Sequence, residues 1–174
     1  LCEVQCPYTI RDGHEFKLDF PKLVHRHKAI RSKDIPRTLR DKILGNPDKS
    51  AGIARASFGL ANLMNRFSIP RWFMEKIIGI HRKKILPNFS FSTFEQWSAK
   101  LGLIRENQKA ETVLFQTCYV QHNEPQIGKD TLEVLEKNKV DCACVKGLKC
   151  CGMPAWEQGD LETLRVNAKQ NLDI

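Results

Sequence analysis

Apolar positions along the first hundred residues recur at the three- and four-residue spacings of helices. Pro21 suits the first turn of a helix in which Leu23, His27 and Ile30 follow at spacings of four and three, ending near Lys33. A short helix is expected from Pro36 until Gly45-Asn46-Pro47 stops it. A longer one is expected from about Asp48 to Phe67, with Ile53, Ala56, Leu60, Leu63, Met64 and Phe67 on one stripe and Arg55, Asn62 and Arg66 off it. Ile69-Pro70 interrupts, and Trp72, Phe73, Glu75, Lys76, Ile77 and Ile80 continue as a further helix into His81-Arg82-Lys83-Lys84. After an extended run, Leu86 to Phe91, Ser92-Thr93-Phe94-Glu95 has the form of a capping box opening a helix that carries Phe94, Trp97 and Leu101 and stops at Gly102.

From Ala110 the period changes. Thr112 to Thr117 is a β-type run, Gly128 to Lys139 reads as a helix with Leu132 and Leu135 inward, and Val140 to Val145 is a second strand. Asp160 is placed to cap a last helix bearing Leu161, Leu164, Ala168 and Leu172. Strand, helix, strand, helix predicts a parallel sheet with a right-handed crossover. Cys118 then falls just past the carboxyl end of the first strand and Cys150-Cys151 just past the second, at the edge where such sheets place ligands.

Composition supports a folded chain: 41% of the residues are hydrophobic and 28% charged. No run approaches the roughly 18 apolar residues needed to cross a bilayer, and the first residues do not read as a signal peptide. The net charge of +8 is unevenly placed, with 21 Lys/Arg against 10 Asp/Glu in residues 1–109 and 7 against 10 in residues 110–174. The basic helical connector reads either as a helix pair packed on its neighbour with a solvated cationic edge, or as an amphipathic surface for anionic lipid or a partner subunit. Nucleic acid is disfavoured, because no recognisable nucleic-acid fold motif accompanies the charge.

Seven cysteines without an export signal fit a reducing compartment, where such clusters hold metal or do redox work. Adjacent Cys150 and Cys151 bond each other only with strain, so a vicinal pair followed by Gly152-Met153-Pro154 suggests a metal or redox loop, completed by Cys118 with 31 intervening residues. Paired knuckles of the structural-zinc kind are absent, which favours iron-sulfur over zinc. Cys2-Glu3-Val4-Gln5-Cys6-Pro7 ends as bacterial ferredoxin motifs do, a pattern in which Cys2 and Cys6 serve different clusters. Its first two cysteines would precede Leu1, so the sequence is expected to be part of a longer protein. Cys142 and Cys144 share one strand face with Val140 and read as packing. His14, His25 and His27 read as surface or core residues, since His25 and His27 point to different helix faces.

Cys118-x31-Cys150-Cys151-Gly152-Met153-Pro154, followed by Gly159-Asp160 and Asn171, resembles the first of two Cys-Cys-Gly repeats in the heterodisulfide reductase B-subunit superfamily of Fe-S oxidoreductases. Within it, the order of Cys2 to Pro7, Leu86-Pro87 with Phe89-Ser90 and Phe94, Cys118-Tyr119-Val120, Pro125-Gln126 and Gly128-Lys129-Asp130 is similar to that of the C-subunits of anaerobic glycerol-3-phosphate dehydrogenases. The resemblance implies an α/β C-terminal part (110–174) holding the first, incomplete Cys-Cys-Gly repeat. It is preceded by a mainly α-helical basic connector (35–109) and the tail of a ferredoxin-like module (1–34). It also implies an iron-sulfur electron-transfer subunit that passes electrons from a flavoprotein dehydrogenase subunit toward membrane quinone. Cys2 and Cys6 would be ligands of cubane 4Fe-4S clusters, and Cys118, Cys150 and Cys151 would serve a Cys-Cys-Gly site that holds a noncubane cluster in relatives. The implied location is cytoplasmic, peripheral on the inner face of the membrane. A subunit that itself reduces a disulfide and a zinc-stabilised interaction module are the alternatives.

Overall fold

The two strands that flank the thiols pair in parallel, β1 (Thr112–Leu114) against β2 (Cys142–Cys144), with Thr112 opposite Cys142 and Leu114 opposite Cys144. The computed structural model describes residues 2–105 and 110–174, and of Cys2 and Glu3 the backbone alone. Eleven helices complete the described chain. In order they are α1 (Cys2–Gln5), α2 (Phe20–Asp34), α3 (Leu39–Gly45), α4 (Pro47–Ala56), α5 (Leu60–Arg66), α6 (Ser68–Ile78) and α7 (Phe94–Lys100), then after β1 α8 (Cys118–His122) and α9 (Pro125–Lys137), and after β2 α10 (Met153–Gln158) and α11 (Leu161–Leu172). The sheet gains a third, single-residue rung where Ile104 bridges Cys144 in parallel.

The strands are shorter than the β-type runs, and beyond the first a side chain diverts the backbone. Thr117 ends the first run by accepting the Val120 N–H, which opens α8 where a loop was expected. Cys118 is therefore the first residue of a helix. The expected Ser92 box also shifts by one residue: Thr93 caps α7, and Gln96 returns the bond to the Thr93 N–H at 3.0 Å.

The long helix expected from Asp48 to Phe67 is two helices. Phe58 and Gly59 both adopt positive φ (50° and 91°), which breaks the ladder between α4 and α5. The short helix before it begins at Leu39 and not at Pro36, because Thr38 and Asp41 form a capping box there. Pro70 lies within the first turn of α6, where its missing N–H costs nothing, so it opens the helix that follows. That helix ends at Gly79, and His81 to Lys84 are not helical. Instead they fold around buried Arg71, whose Nε donates to the Arg82 carbonyl at 3.2 Å and whose Nη2 donates to those of His81 (3.1 Å) and Lys84 (2.6 Å).

The core is small and lies under the sheet: Phe94, Ser98, Ala143 and Cys144 are buried, with Ala51, Cys150 and Ala155 toward the thiol loops. Gly128 lets α9 close on Phe94, since a Cβ there would stand 2.9 Å from Val120 Cγ1 and nearer still to the Phe94 ring. The apolar stripe of the connector does not join this core. Ile53 is 75% exposed, and Leu60, Leu63, Phe67, Ile69 and Ile77 also face outward. The inward face of α2 differs from expectation as well: Leu23, His27 and Ile30 are exposed, while His25, Lys28, Ala29 and Ser32 meet the end of α10. Leu161, Ala168 and Leu172 of α11 are likewise exposed, and Leu164, Asn167 and Asn171 face the cysteine loop.

Candidate cysteine site

Residues distant in sequence converge beyond the carboxyl ends of β1 and β2. Helix α8 presents Cys118 half-buried, and the loop after β2 brings Cys150, 3% exposed, beside it, followed in the chain by exposed Cys151. Gly152 turns this loop into α10 with φ of +89°, packed so closely on Leu164 that no side chain fits. The Cys-Cys-Gly order thus places two thiols ahead of a turn that only glycine makes here.

The Cys150 loop is held from both sides by polar groups. Asn167 of α11 donates to the Cys150 carbonyl at 3.2 Å, and Asn171 brackets Lys149, accepting its N–H at 2.7 Å and donating to its carbonyl at 3.2 Å. The Cys150 N–H donates to Asp48 Oδ2 at 3.0 Å, although Asp48 opens α4 in the basic connector. The other Asp48 oxygen meets His122 Nε2 at 3.1 Å, and His122 Nδ1 lies 2.7 Å from Arg55 Nη1. Further out, Glu95 accepts the Gly147 N–H at 2.9 Å, and buried Gln116 donates to the Val145 carbonyl at 3.3 Å.

These surroundings divide the thiols. The adjacent Cys150 side chain holds Cys118 below the ordinary thiol value despite burial and the nearby charges of Asp48 and Cys151. The same proximity, with burial, raises Cys150. Burial pushes Asp48 upward, but the hydrogen bonds from His122 and the Cys150 N–H outweigh it and leave the carboxylate below its usual range. Cys144 faces Ser98 in the core, where burial first and the neighbouring Cys142 second push its thiol up to about 11. Cys142 is half-buried on the same strand.

Three soft thiols from a helix start and a loop fit an iron-sulfur group in kind, although the usual complement is four thiolates. Among the described residues, no three His, Cys, Asp or Glu side chains are disposed to hold a metal ion. The folded arrangement therefore brings Cys118 and Cys150 together and supplies part of a ligand set. Cys6 is half-buried beyond α1, which packs on α2, and the Cys2 side chain lies outside the described residues.

Asp48, Arg55, His122 and Asn167 were not legible as site residues. Asp48 reads as an ordinary acidic residue of a first helical turn, and helix α8, which carries His122, is not apparent in the apolar pattern.

A parallel strand pair with cysteines at a helix start and in a loop beyond its carboxyl edge defines a cysteine-rich α/β arrangement. Residues 112–174 match the family model of the cysteine-rich domain, CCG. Over 136 residues the chain is 26% identical to the C-subunit of the anaerobic glycerol-3-phosphate dehydrogenase of Escherichia coli (strain K12), a span covering 78% of this chain and 34% of that protein. It is 37% identical over 60 residues to lactate utilization protein A of Shouchella clausii, covering 34% of this chain and 25% of the relative. Over 71 residues it is 34% identical to an uncharacterized iron-sulfur protein of Methanococcus maripaludis, covering 41% of this chain and 14% of the relative. The chain spans about a third of the length of the glycerol-3-phosphate dehydrogenase C-subunits it matches. No solved structure matches it.

Proposed function

We propose that the chain is part of an iron-sulfur electron-transfer subunit of an oxidoreductase complex. The observation that carries this reading is the order of Cys118 and Cys150-Cys151-Gly152 beyond two parallel strands, within the segment matched by the cysteine-rich domain family, with the Cys118 and Cys150 side chains beside one another. These three thiols would supply part of a cluster's ligands, and Cys2 and Cys6 would serve ferredoxin-type 4Fe-4S clusters on the N-terminal side. A bound cluster would supply one-electron chemistry. The protein's own residues hold the thiols: Asp48 and Asn167 fix both peptide groups of Cys150, and Gly152 turns the chain away from the site. A noncubane cluster at the Cys-Cys-Gly site is the finer form of this reading.

The electron donor in this reading is a flavoprotein dehydrogenase subunit, and the acceptor is membrane quinone on the cytoplasmic side. Similarity to a subunit of anaerobic glycerol-3-phosphate dehydrogenase supports the first. The connector's exposed Phe67, Ile69, Phe73 and Ile77 beside Lys76, Arg82 and Lys83 support contact with an anionic membrane surface. No helix of the described residues is long and apolar enough to cross a membrane.

Anaerobic preparation of a longer protein containing this chain, followed by iron and sulfide analysis and EPR, tests the reading. Iron and sulfide in near-equal amounts, with the Cys118→Ser and Cys150→Ser variants losing part of both, are expected. Zinc without iron or sulfide would refute it and favour an interaction module. A second reading, reduction of a disulfide at this site, is favoured by the proximity of the two thiols, which leaves Cys118 the more readily ionised of them. Reduction of a heterodisulfide without any flavoprotein partner would select it.

A further inference from the structure

The connector and the cysteine-rich segment look separate in sequence, yet an acidic residue of one is bonded to the cysteine loop of the other. Asp48 accepts the Cys150 N–H and, with its second oxygen, meets His122 on the helix that begins with Cys118. One carboxylate thus bridges the two elements that carry the thiols. Its partners are set by donor chemistry. A guanidinium has donors only, so Arg55 fixes His122 Nδ1 as an acceptor, and His122 Nε2 carries the hydrogen that Asp48 accepts. His122 is therefore held in one neutral tautomer, buried to 7% exposure, with its own carbonyl accepting the Ser90 N–H at 2.8 Å. The chain of contacts runs from a cation, through a neutral ring and an anion, to the Cys150 peptide.

We propose that Asp48 is a positioning residue of the cysteine site, clamping the Cys150 loop to the Cys118 helix through His122 and Arg55, so that the connector is a structural part of the site. Two functions meet in this clamp. The bidentate carboxylate sets the separation of Cys118 and Cys150, because each of its oxygens is bonded to a different thiol-bearing element. Its charge also lies close to the sulfurs, since Asp48 is bonded directly to the Cys150 peptide N–H. Arg55 opposes that charge from the far end of the relay. The geometric half stands on the contacts alone; the electrostatic half rests on the electron-transfer reading above.

Asp48→Asn tests the clamp without changing its size. An asparagine amide has one acceptor oxygen, and its NH2 group confronts the second donor, so one of the two bonds is lost whichever way it turns. Labelling with iodoacetamide under native conditions at pH 8, read cysteine by cysteine by peptide mapping, is expected to show Cys150 reacting about tenfold faster in this variant, in line with the loss of one charge-assisted hydrogen bond. Cys144 in β2 reports on the fold as a whole and should keep its wild-type rate. An unchanged Cys150 rate, or equal acceleration at Cys144, would overturn the proposal. A second measurement uses the longer protein with its metal site loaded. The reduction potential should rise in Asp48→Asn and fall in Arg55→Met, because the reduced state carries one more negative charge. Shifts of the same sign, or none, would overturn the electrostatic half. A wild-type protein that takes up no redox-active metal would fail the function reading, while the labelling result would still decide the clamp.

Discussion

Gly159 offers the sharpest test of how the helical connector and the cysteine-rich segment fit together. It ends α10 with φ of +78°, and α2 crosses it so closely that a Cβ would lie 2.7 Å from Ala29 N and nearer still to the Lys28 carbonyl. The obstructing atoms are backbone, so no rotamer change relieves them. Gly159→Ala should therefore incur the left-handed penalty of about 1 kcal/mol and overpacking of about 1–3 kcal/mol as α2 moves away. Displacing α2 would also strain the bond from Ser32 Oγ to the Gly159 carbonyl, 2.8 Å, a neutral contact of about 1 kcal/mol. The expected total is about 3–5 kcal/mol. Gly13→Ala is the matched control, since Gly13 has φ of +69° with nothing within 4 Å of the added carbon, and it should cost only about 1 kcal/mol. Urea unfolding of the three proteins measures the difference from the midpoints at constant slope. A Gly159→Ala variant no less stable than Gly13→Ala would refute the close approach of α2 to α10.

Arg71→Met should destabilise the chain by about 2–3 kcal/mol, because three carbonyls of the His81 to Lys84 turn lose their donor; thermal unfolding would reveal it, and Arg71→Lys should fail to restore it fully. The Cys144 thiol, pushed up to about 11 against an ordinary 9, should react with iodoacetamide at pH 8 about a hundredfold more slowly than an unperturbed thiol, before any further slowing from burial. Asp160 is held below the ordinary carboxylate value, since hydrogen bonds from Thr163 and the charge of Arg37 overcome a larger single effect of burial. Its stabilisation is thus fully present above the unfolded value of about 3.9 and is lost as pH falls through the lower folded value. Asp160→Asn should make acid unfolding less steep below about pH 4, followed by circular dichroism.

The sequence by itself determined where local chemistry decides structure. Apolar spacing and Pro21 located α2, Asp160 was recognisable as the cap of α11, and two β-type runs flanking a helical pattern implied the parallel pair β1 and β2. It also singled out Cys118, Cys150 and Cys151, because strand ends in a parallel sheet share one edge whatever the details of the crossover. The tertiary structure decided which faces are buried. Leu23 and Ile30 look like a packing face, but α2 meets α10 through Ala29 and Ser32, since small residues permit the approach that Gly159 opens. Only the folded chain joined Asp48 to Cys150 across 102 residues, and only it revealed His122 as the link to Arg55. A polar contact between distant segments leaves no period in either one. The thiols are therefore legible from their order and spacing, whereas the groups that hold and charge them become visible only when the connector is folded against the sheet.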